Sequence, residues 1–202
     1  MCAVSRARSR VGLILLAAGG SRRLGSPKQL VRDSAGQSLV RRAAETALGS
    51  RCRPVAAVLG ADADTVAAEL DGLDLILAVN PGWQTGLASS LKAGLAALQK
   101  AGPLDAVVVL LCDQPRVTSA LLNSLLTAAA DTGRQIAACE YGGALGVPAL
   151  FASPLFPGLQ ALTGDEGARR VIRAYAGPVA RIPFPGGETD IDTAQDAAEF
   201  EK

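Results

Sequence analysis

The stretch V-G-L-I-L-L-A-A-G-G-S-R-R-L-G-S-P-K-Q-L, Val11–Leu30, decides the fold. Val11–Leu16 is an apolar run with the length and bounds of a buried β-strand. Leu16–Leu30 then gathers Gly19, Gly20, Gly25, Ser21, Arg22, Arg23 and Lys28 into one loop. Glycine lets backbone N–H groups turn toward a ligand with no side chain in the way, and successive N–H groups make a concavity that favours anions. Ser21 adds a hydroxyl donor, and Arg22, Arg23 and Lys28 add positive charge. Such a loop suits a triphosphate.

Two familiar phosphate loops do not fit. The P-loop requires G-x-x-x-x-G-K-[S/T]. Gly20 and Gly25 have its glycine spacing, but Ser26 and Pro27 follow, and proline is awkward inside a helix start. The dinucleotide fingerprint requires G-x-G-x-x-G, which Gly19, Gly20 and Gly25 do not make. From chemistry alone, the loop is either a triphosphate cradle or a basic surface turn.

The pattern L-A-A-G-x-S-x-R-x-G-x-x-K, Leu16 to Lys28, resembles the signature loop of the MobA-like NTP transferases. With Gln29 and Leu30 it is most similar to the branch containing molybdenum cofactor cytidylyltransferase. Leu24 stands where methionine is common. The resemblance implies that Leu16, Ala17, Ala18, Gly19, Gly20, Ser21, Arg23 and Lys28 bind nucleotide. It further implies that Arg23 and Lys28 counter the triphosphate charge as catalytic residues.

Composition sets the outer bounds. The chain of 202 residues is 49% apolar and only 3% aromatic, which suits one α/β domain built from aliphatic layers. We expect a basic tail over 1–10 and a single domain over 11–202. A formal net charge of +1 supplies no global field for nucleic acid, and no run is long and apolar enough to span a membrane. Cys2, Cys52, Cys112 and Cys139 lack C-x-x-C spacing, which predicts reduced thiols in a cytoplasmic protein. There is no histidine, so Ser-His-Asp catalysis, Cys-His catalysis and histidine-ligated zinc are excluded. A metal here must be a hard cation on oxygen ligands, Mg²⁺ above all.

Outward from the loop, helix and strand alternate as in a parallel sheet with crossover helices. A helix is expected over Gln37–Leu48, closed by Gly49, then a strand over Pro54–Leu59. Asp62 or Asp64 caps a short helix ending near Leu70, and Leu73–Val79 reads as a third strand. From Gly86 a helix carries Leu87, Leu91, Leu95 and Leu98 on one face, with polar residues at its N-terminus, where free N–H groups favour phosphate or carbonyl oxygens. Asp105–Leu111 is the clearest strand, buried on both faces by its composition. Thr118 caps a helix over Ser119–Ala130, Gln135–Cys139 is another strand, and Val179–Ile182 is the last.

Five segments carry chemistry. L-C-D-Q-P, Leu111–Pro115, places Asp113 at the carboxyl end of a central strand, facing the crevice where α/β sheets bind ligands. The resemblance makes Asp113 the metal-binding and catalytic aspartate. It also assigns Gly86 and Ser90 to the base and ribose, and leaves Trp83 as core or stacking face. Gly146 and Pro148 match the family's G-x-P segment, with Val147 where some members have histidine. Gly164, Asp165 and Arg169 match G-D-x-G-A-R on the acceptor side, with Arg170 as the other candidate arginine. Asp190 and Asp192 share one face of an extended tail, so either can be the second metal ligand. Asp192 matches the family position better, although Ala194 replaces the usual proline.

The architecture implied is a three-layer α/β/α sandwich, a Rossmann-like nucleotide-diphospho-sugar transferase fold with a mostly parallel sheet. The reaction implied is Mg²⁺-dependent transfer of CMP from CTP to the phosphate of molybdopterin, with a molybdoenzyme or its chaperone as protein partner. The alternatives are a cytidylyl- or guanylyltransferase for another small phosphorylated acceptor, and a non-catalytic nucleotide- or cofactor-delivery protein.

Overall fold

The computed structural model describes residues 9–20, 27–191 and 195–196. The apolar run after Arg10 forms β1 (Val11–Ala17), buried at every position. Ser38 accepts a hydrogen bond from the Arg41 N–H and so caps α1 (Leu39–Leu48), which starts two residues later than the apolar pattern suggests. Next come β2 (Val55–Leu59), α2 (Ala63–Ala68) and β3 (Ile76–Val79). Then follow α3 (Leu87–Lys100), β4 (Ala106–Leu111) and α4 (Ser119–Thr132), the last capped by the Thr118 hydroxyl. The chain continues through β5 (Ile136–Tyr141), β6 (Ala144–Ala152), α5 (Phe156–Gln160), α6 (Ala168–Ala174) and β7 (Val179–Pro183).

The seven strands make one sheet in the order β3-β2-β1-β4-β6-β5-β7. All neighbours are parallel except β6, which runs antiparallel to both β4 and β5. Side chains alternate across the pleat. Leu13, Leu15 and Ala17 therefore face one layer with Val40, Ala44, Val66, Leu122 and Leu125 of α1, α2 and α4. Ile14, Leu16 and Ala18 face the other, with Leu91, Leu95 and Leu98 of α3, Phe156 of α5 and Ile172 of α6. Three layers, α/β/α, result.

Two local expectations are corrected. The third strand starts at Ile76 rather than Leu73, because Gly72 in the left-handed region and bonds from the N–H groups of Leu73 and Leu75 keep the chain in turns until then. Asp62 occupies the N-cap position of α2 but makes no side-chain cap; it is itself left-handed, at φ 52°. The substrate-side segment Gly142–Phe151 lies largely in a strand, Ala144–Ala152, hairpinned onto β5. Its two-residue turn is Gly142–Gly143, at φ 54° and 72°, the primed geometry in which glycine joins twisted strands. Pro148 would break a ladder, but Val147 and Pro148 fall in a bulge, where the pairing jumps from Ala138↔Ala149 to Cys139↔Gly146.

Gly94 sets the depth of α3 on the sheet. A Cβ there would lie 2.5 Å from Ile14 Cγ2 and 2.8 Å from Val58 Cγ2. Both neighbours are fully buried in β1 and β2, with no room to retreat. Gly94→Val should therefore lower unfolding stability by about 2 kcal/mol or more through overpacking, despite its better helix propensity. Urea denaturation measures this, and wild-type stability in the variant would show that the helix simply lifts.

Candidate functional site

Chain order reverses around β1, which has β2 on one side and β4 on the other. At such a switch point the loops leaving two parallel strands diverge and open a crevice at their carboxyl ends. A cavity of about 410 Å³ occupies it. Leu16–Gly20 form one wall and Leu111–Asp113 another, with Lys28 and Gln29 alongside. Trp83, Gln84, Gly86, Leu87 and Ser90 close the side toward α3, and Asp165 reaches in from the loop before α6.

The charged centre is Asp113. Lys28 Nζ donates to Asp113 Oδ2, and the two side chains are only 18% and 13% exposed. Asp113 Oδ1 is buried and has no hydrogen-bond partner among the described residues. A buried carboxylate oxygen without a donor suits a hard cation. Among the described residues no three acidic, cysteine or histidine side chains cluster to hold a metal. Such a cation would take its other oxygens from water and phosphate, as Mg²⁺ does. Ile191 reaches the same strand end, because its N–H bonds the Asp113 carbonyl at 3.1 Å and its side chain is buried against Leu39. Cys112 is no nucleophile. Burial first, then the Asp113 charge, push its thiol up to about 12 against the pull of Lys28, so it stays protonated.

Buried polar contacts shape the walls. Gln29, 1% exposed, donates its amide to the carbonyls of Ala17 (2.8 Å) and Gly19 (2.7 Å) and so pins the glycine loop. Asn80, at the end of β3, donates to Ser89 Oγ (2.8 Å) and Ser90 Oγ (3.0 Å), which locks the first turn of α3. Gly86, at φ 112°, touches Gly164 so closely that a Cβ would lie 2.2 Å from the Gly164 carbonyl. The Gly164 oxygen accepts the Ala88 N–H at 3.0 Å, so one N–H of this helix start is already used within the protein. Trp83 is core on one side and cavity wall on the other. It packs against the core and lines the cavity, its ring filling the space where Gly20 or Gly60 would carry a Cβ.

A second polar group lies beside the bulge of β6. The Val147 carbonyl, freed from the ladder, accepts from Tyr141 Oη at 2.8 Å and from the Gln114 amide at 3.3 Å. Arg169 donates to the Tyr141 hydroxyl at 3.2 Å, with its guanidinium 5.7 Å from the ring centre. Gly146 permits this, since a Cβ would meet Tyr141 Oη at 2.3 Å and Arg169 Nη2 at 2.8 Å.

The structure thus brings Leu16, Ala17, Ala18, Gly19, Gly20, Lys28, Gly86, Ser90, Asp113 and Asp165 to one cavity. Gly146, Pro148, Gly164 and Arg169 are not on its walls. The first two are buried in β6, Gly164 backs the start of α3, and Arg169 lies at Tyr141. Ser21, Arg23 and Asp192 lie outside the described residues. Sequence reading passed over Gln29, Asn80, Gln84, Gln114 and Tyr141. Gln29, inside the signature loop, and Gln114, inside L-C-D-Q-P, carried a signal there.

Residues 13–179 match the MobA-like NTP transferase domain. The chain belongs to the MobA-like NTP transferase family. It is 32% identical to the purine catabolism protein PucB of Bacillus subtilis over 197 residues, covering 91% of this chain and 92% of that protein. It is 33% identical to nicotine blue oxidoreductase of Paenarthrobacter nicotinovorans over 192 residues, 90% and 92% of the two chains. The Rv0371c homologue of Mycobacterium sp. strain JC1 superposes with a TM-score of 0.79 at 35% identity over 96% of each chain. Rv0371c of Mycobacterium tuberculosis H37Rv, solved as a complex with manganese, superposes at 0.75 with 26% identity over 95% and 98%. The MobA-like chain thus carries the nucleotidyltransferase fold over its described residues, and one structural relative is a complex with manganese. No helix among the described residues is long and apolar enough to cross a membrane.

For this MobA-like loop, Gln29→Met is the sharpest local test. It keeps the volume but removes the donor from two carbonyls, at a cost of about 1–3 kcal/mol. Denaturant midpoints should fall accordingly and nucleotide affinity should fall with them; an unchanged midpoint would mean that Gln29 does not pin the loop.

Proposed function

We propose that the protein transfers a nucleotidyl group from a nucleoside triphosphate to a phosphorylated acceptor, with CTP and the molybdopterin phosphate as substrates. The observation carrying this is Asp113, with its unbonded buried oxygen, opposite the glycine loop and Lys28 in one cavity. In this reading a phosphate oxygen of the acceptor attacks the α-phosphorus. An O–P bond forms there as the bond to the bridging oxygen breaks, and pyrophosphate leaves. The nucleophile needs no general base, because a phosphomonoester with a second pKa near about 6 is already ionised at neutral pH. The lack of histidine and the protonated Cys112 are consistent with that.

The chain's part is positioning and charge. Backbone donors of the glycine loop, with Arg23 and Lys28, hold the leaving pyrophosphate. Ala17, Ala18, Gly86 and Ser90 surround the base and ribose. Asp165 and Arg169 form the acceptor side, where Tyr141 steadies Arg169 and the buried Gly146 and Pro148 act through the bulge that places Tyr141. Asp113 and Asp192 hold Mg²⁺, which when bound neutralises charge on the α-phosphate. One unit, 11–202, carries all of this in the cytoplasm, and the product passes to a molybdoenzyme or its chaperone. The three described thiols, free and buried, agree with a reducing compartment.

A second reading is favoured by the 33% identity to a protein named an oxidoreductase. There the same cavity holds a redox substrate and no phosphoanhydride bond is broken. Pyrophosphate release from CTP in the presence of molybdopterin separates the two. Its absence, with an electron-transfer activity measured in its place, would favour the second.

Two outcomes are expected. Asp113→Asn keeps the shape and removes a charge, so turnover should drop about a hundredfold or more while circular dichroism stays native. Near-normal turnover would remove Asp113 from the mechanism. By calorimetry, CTP should bind more tightly than GTP by about a hundredfold. Two base contacts left unpaired by a purine, at about 1–3 kcal/mol each, suffice. Tighter GTP binding would overturn the cytidylyl assignment alone.

A further inference from the structure

Lys28 faces two competing attractions. The loop it closes is built for a polyanion, yet here its ammonium donates to Asp113 Oδ2, the carboxylate that the reading above gives to the metal. The contact is shielded, with both side chains more than four-fifths covered, so solvent screens it poorly. Asp113 cannot easily lose a cationic partner there, because an uncompensated buried carboxylate is costly. Its second oxygen has no donor among the described residues, so the lysine supplies compensation on one side only. Asp113 sits at the end of β4, and its carbonyl is tied to the Ile191 N–H. Lys28, in contrast, sits on a short turn (Lys28–Leu30) next to the glycine loop. Of the two partners, the lysine is the one that can leave.

We infer that Lys28 is a resident cation standing in for the divalent metal on Asp113, so that triphosphate and metal enter the site as a coupled pair. The polyphosphate draws the ammonium away, and the carboxylate so uncovered accepts the metal. Without polyphosphate the lysine keeps the metal out, which spares the protein a tightly held cation with no substrate under it. The coupling is reciprocal: whatever factor the polyphosphate adds to metal affinity, the metal adds to polyphosphate affinity. The inference rests on Asp113 being the metal ligand, and its test is arranged so that failure of either is visible.

The test needs no turnover. Mn²⁺ binding to the nucleotide-free protein is followed by electron paramagnetic resonance for wild type, Lys28→Met, Asp113→Asn and the double variant. Thermal melts confirm that each is folded, and each titration is repeated at two salt concentrations. Lys28→Met should bind Mn²⁺ at least tenfold more tightly than wild type. The gain should persist at high salt and vanish in the double variant. Equal Mn²⁺ affinity in wild type and Lys28→Met, with loss in Asp113→Asn, overturns the stand-in role and leaves Asp113 as metal ligand. A gain that high salt abolishes also overturns it, because only a long-range charge effect is then left. Mn²⁺ affinity indifferent to Asp113→Asn in both backgrounds overturns the metal reading, and the inference with it. Inorganic tripolyphosphate then supplies a second measure. Held below the concentration at which it sequesters Mn²⁺ in solution, it should raise Mn²⁺ affinity in wild type far more than in Lys28→Met. An equal rise in both would again overturn the coupling.

Discussion

The parallel pairing of β1 with β4, in register from Val11↔Ala106 to Leu16↔Leu111, is the constraint on which the rest depends. The two strands are distant in sequence and are joined through the crossovers that carry β2 and β3. Once they lie side by side, the residues after Leu16 and after Leu111 must diverge from a common edge. The glycine loop and Asp113 are those residues. Lys28 and Asp113, 85 positions apart, meet because the sheet delivers them to the same edge. The Cys112 N–H, bonded to the Leu16 carbonyl, extends the ladder to the cavity floor.

Around that edge, polar satisfaction does the shaping. Backbone groups leaving a buried strand need partners that the ladder no longer supplies. Gln29 supplies two of them, Asn80 ties β3 to the start of α3, and the Gly164 carbonyl takes the Ala88 N–H. Each contact both satisfies a buried group and fixes one wall. The glycines matter here for what they admit. Gly20 and Gly60 make room for Trp83, and Gly86 allows Gly164 to touch the helix start.

The far side follows a different rule. A proline in β6 forces a bulge, the bulge frees the Val147 carbonyl, and Tyr141 and Gln114 turn to meet it. Arg169 settles on Tyr141 as a consequence. Two proteins each about a third identical to this chain are named for purine catabolism and for a nicotine blue oxidoreductase. Function resides in sites grafted on a fold.

Sequence alone determined the strand–loop start, the α/β alternation, the end of β4 at Asp113 and the family. Those features are local: an apolar run, a glycine cluster, a carboxylate after a buried strand. It also determined what chemistry is absent, since a chain without histidine cannot use one. Tertiary structure alone decided that β6 runs antiparallel, because a two-residue glycine turn and a proline bulge take effect only against β5. It decided that Gly164 braces Gly86 rather than standing open, that Trp83 is both core and wall, and that Arg169 rests on Tyr141. Above all it decided that Lys28 lies on Asp113. Each contact joins residues far apart in the chain, and no spacing or periodicity encodes which side chains a sheet will set face to face.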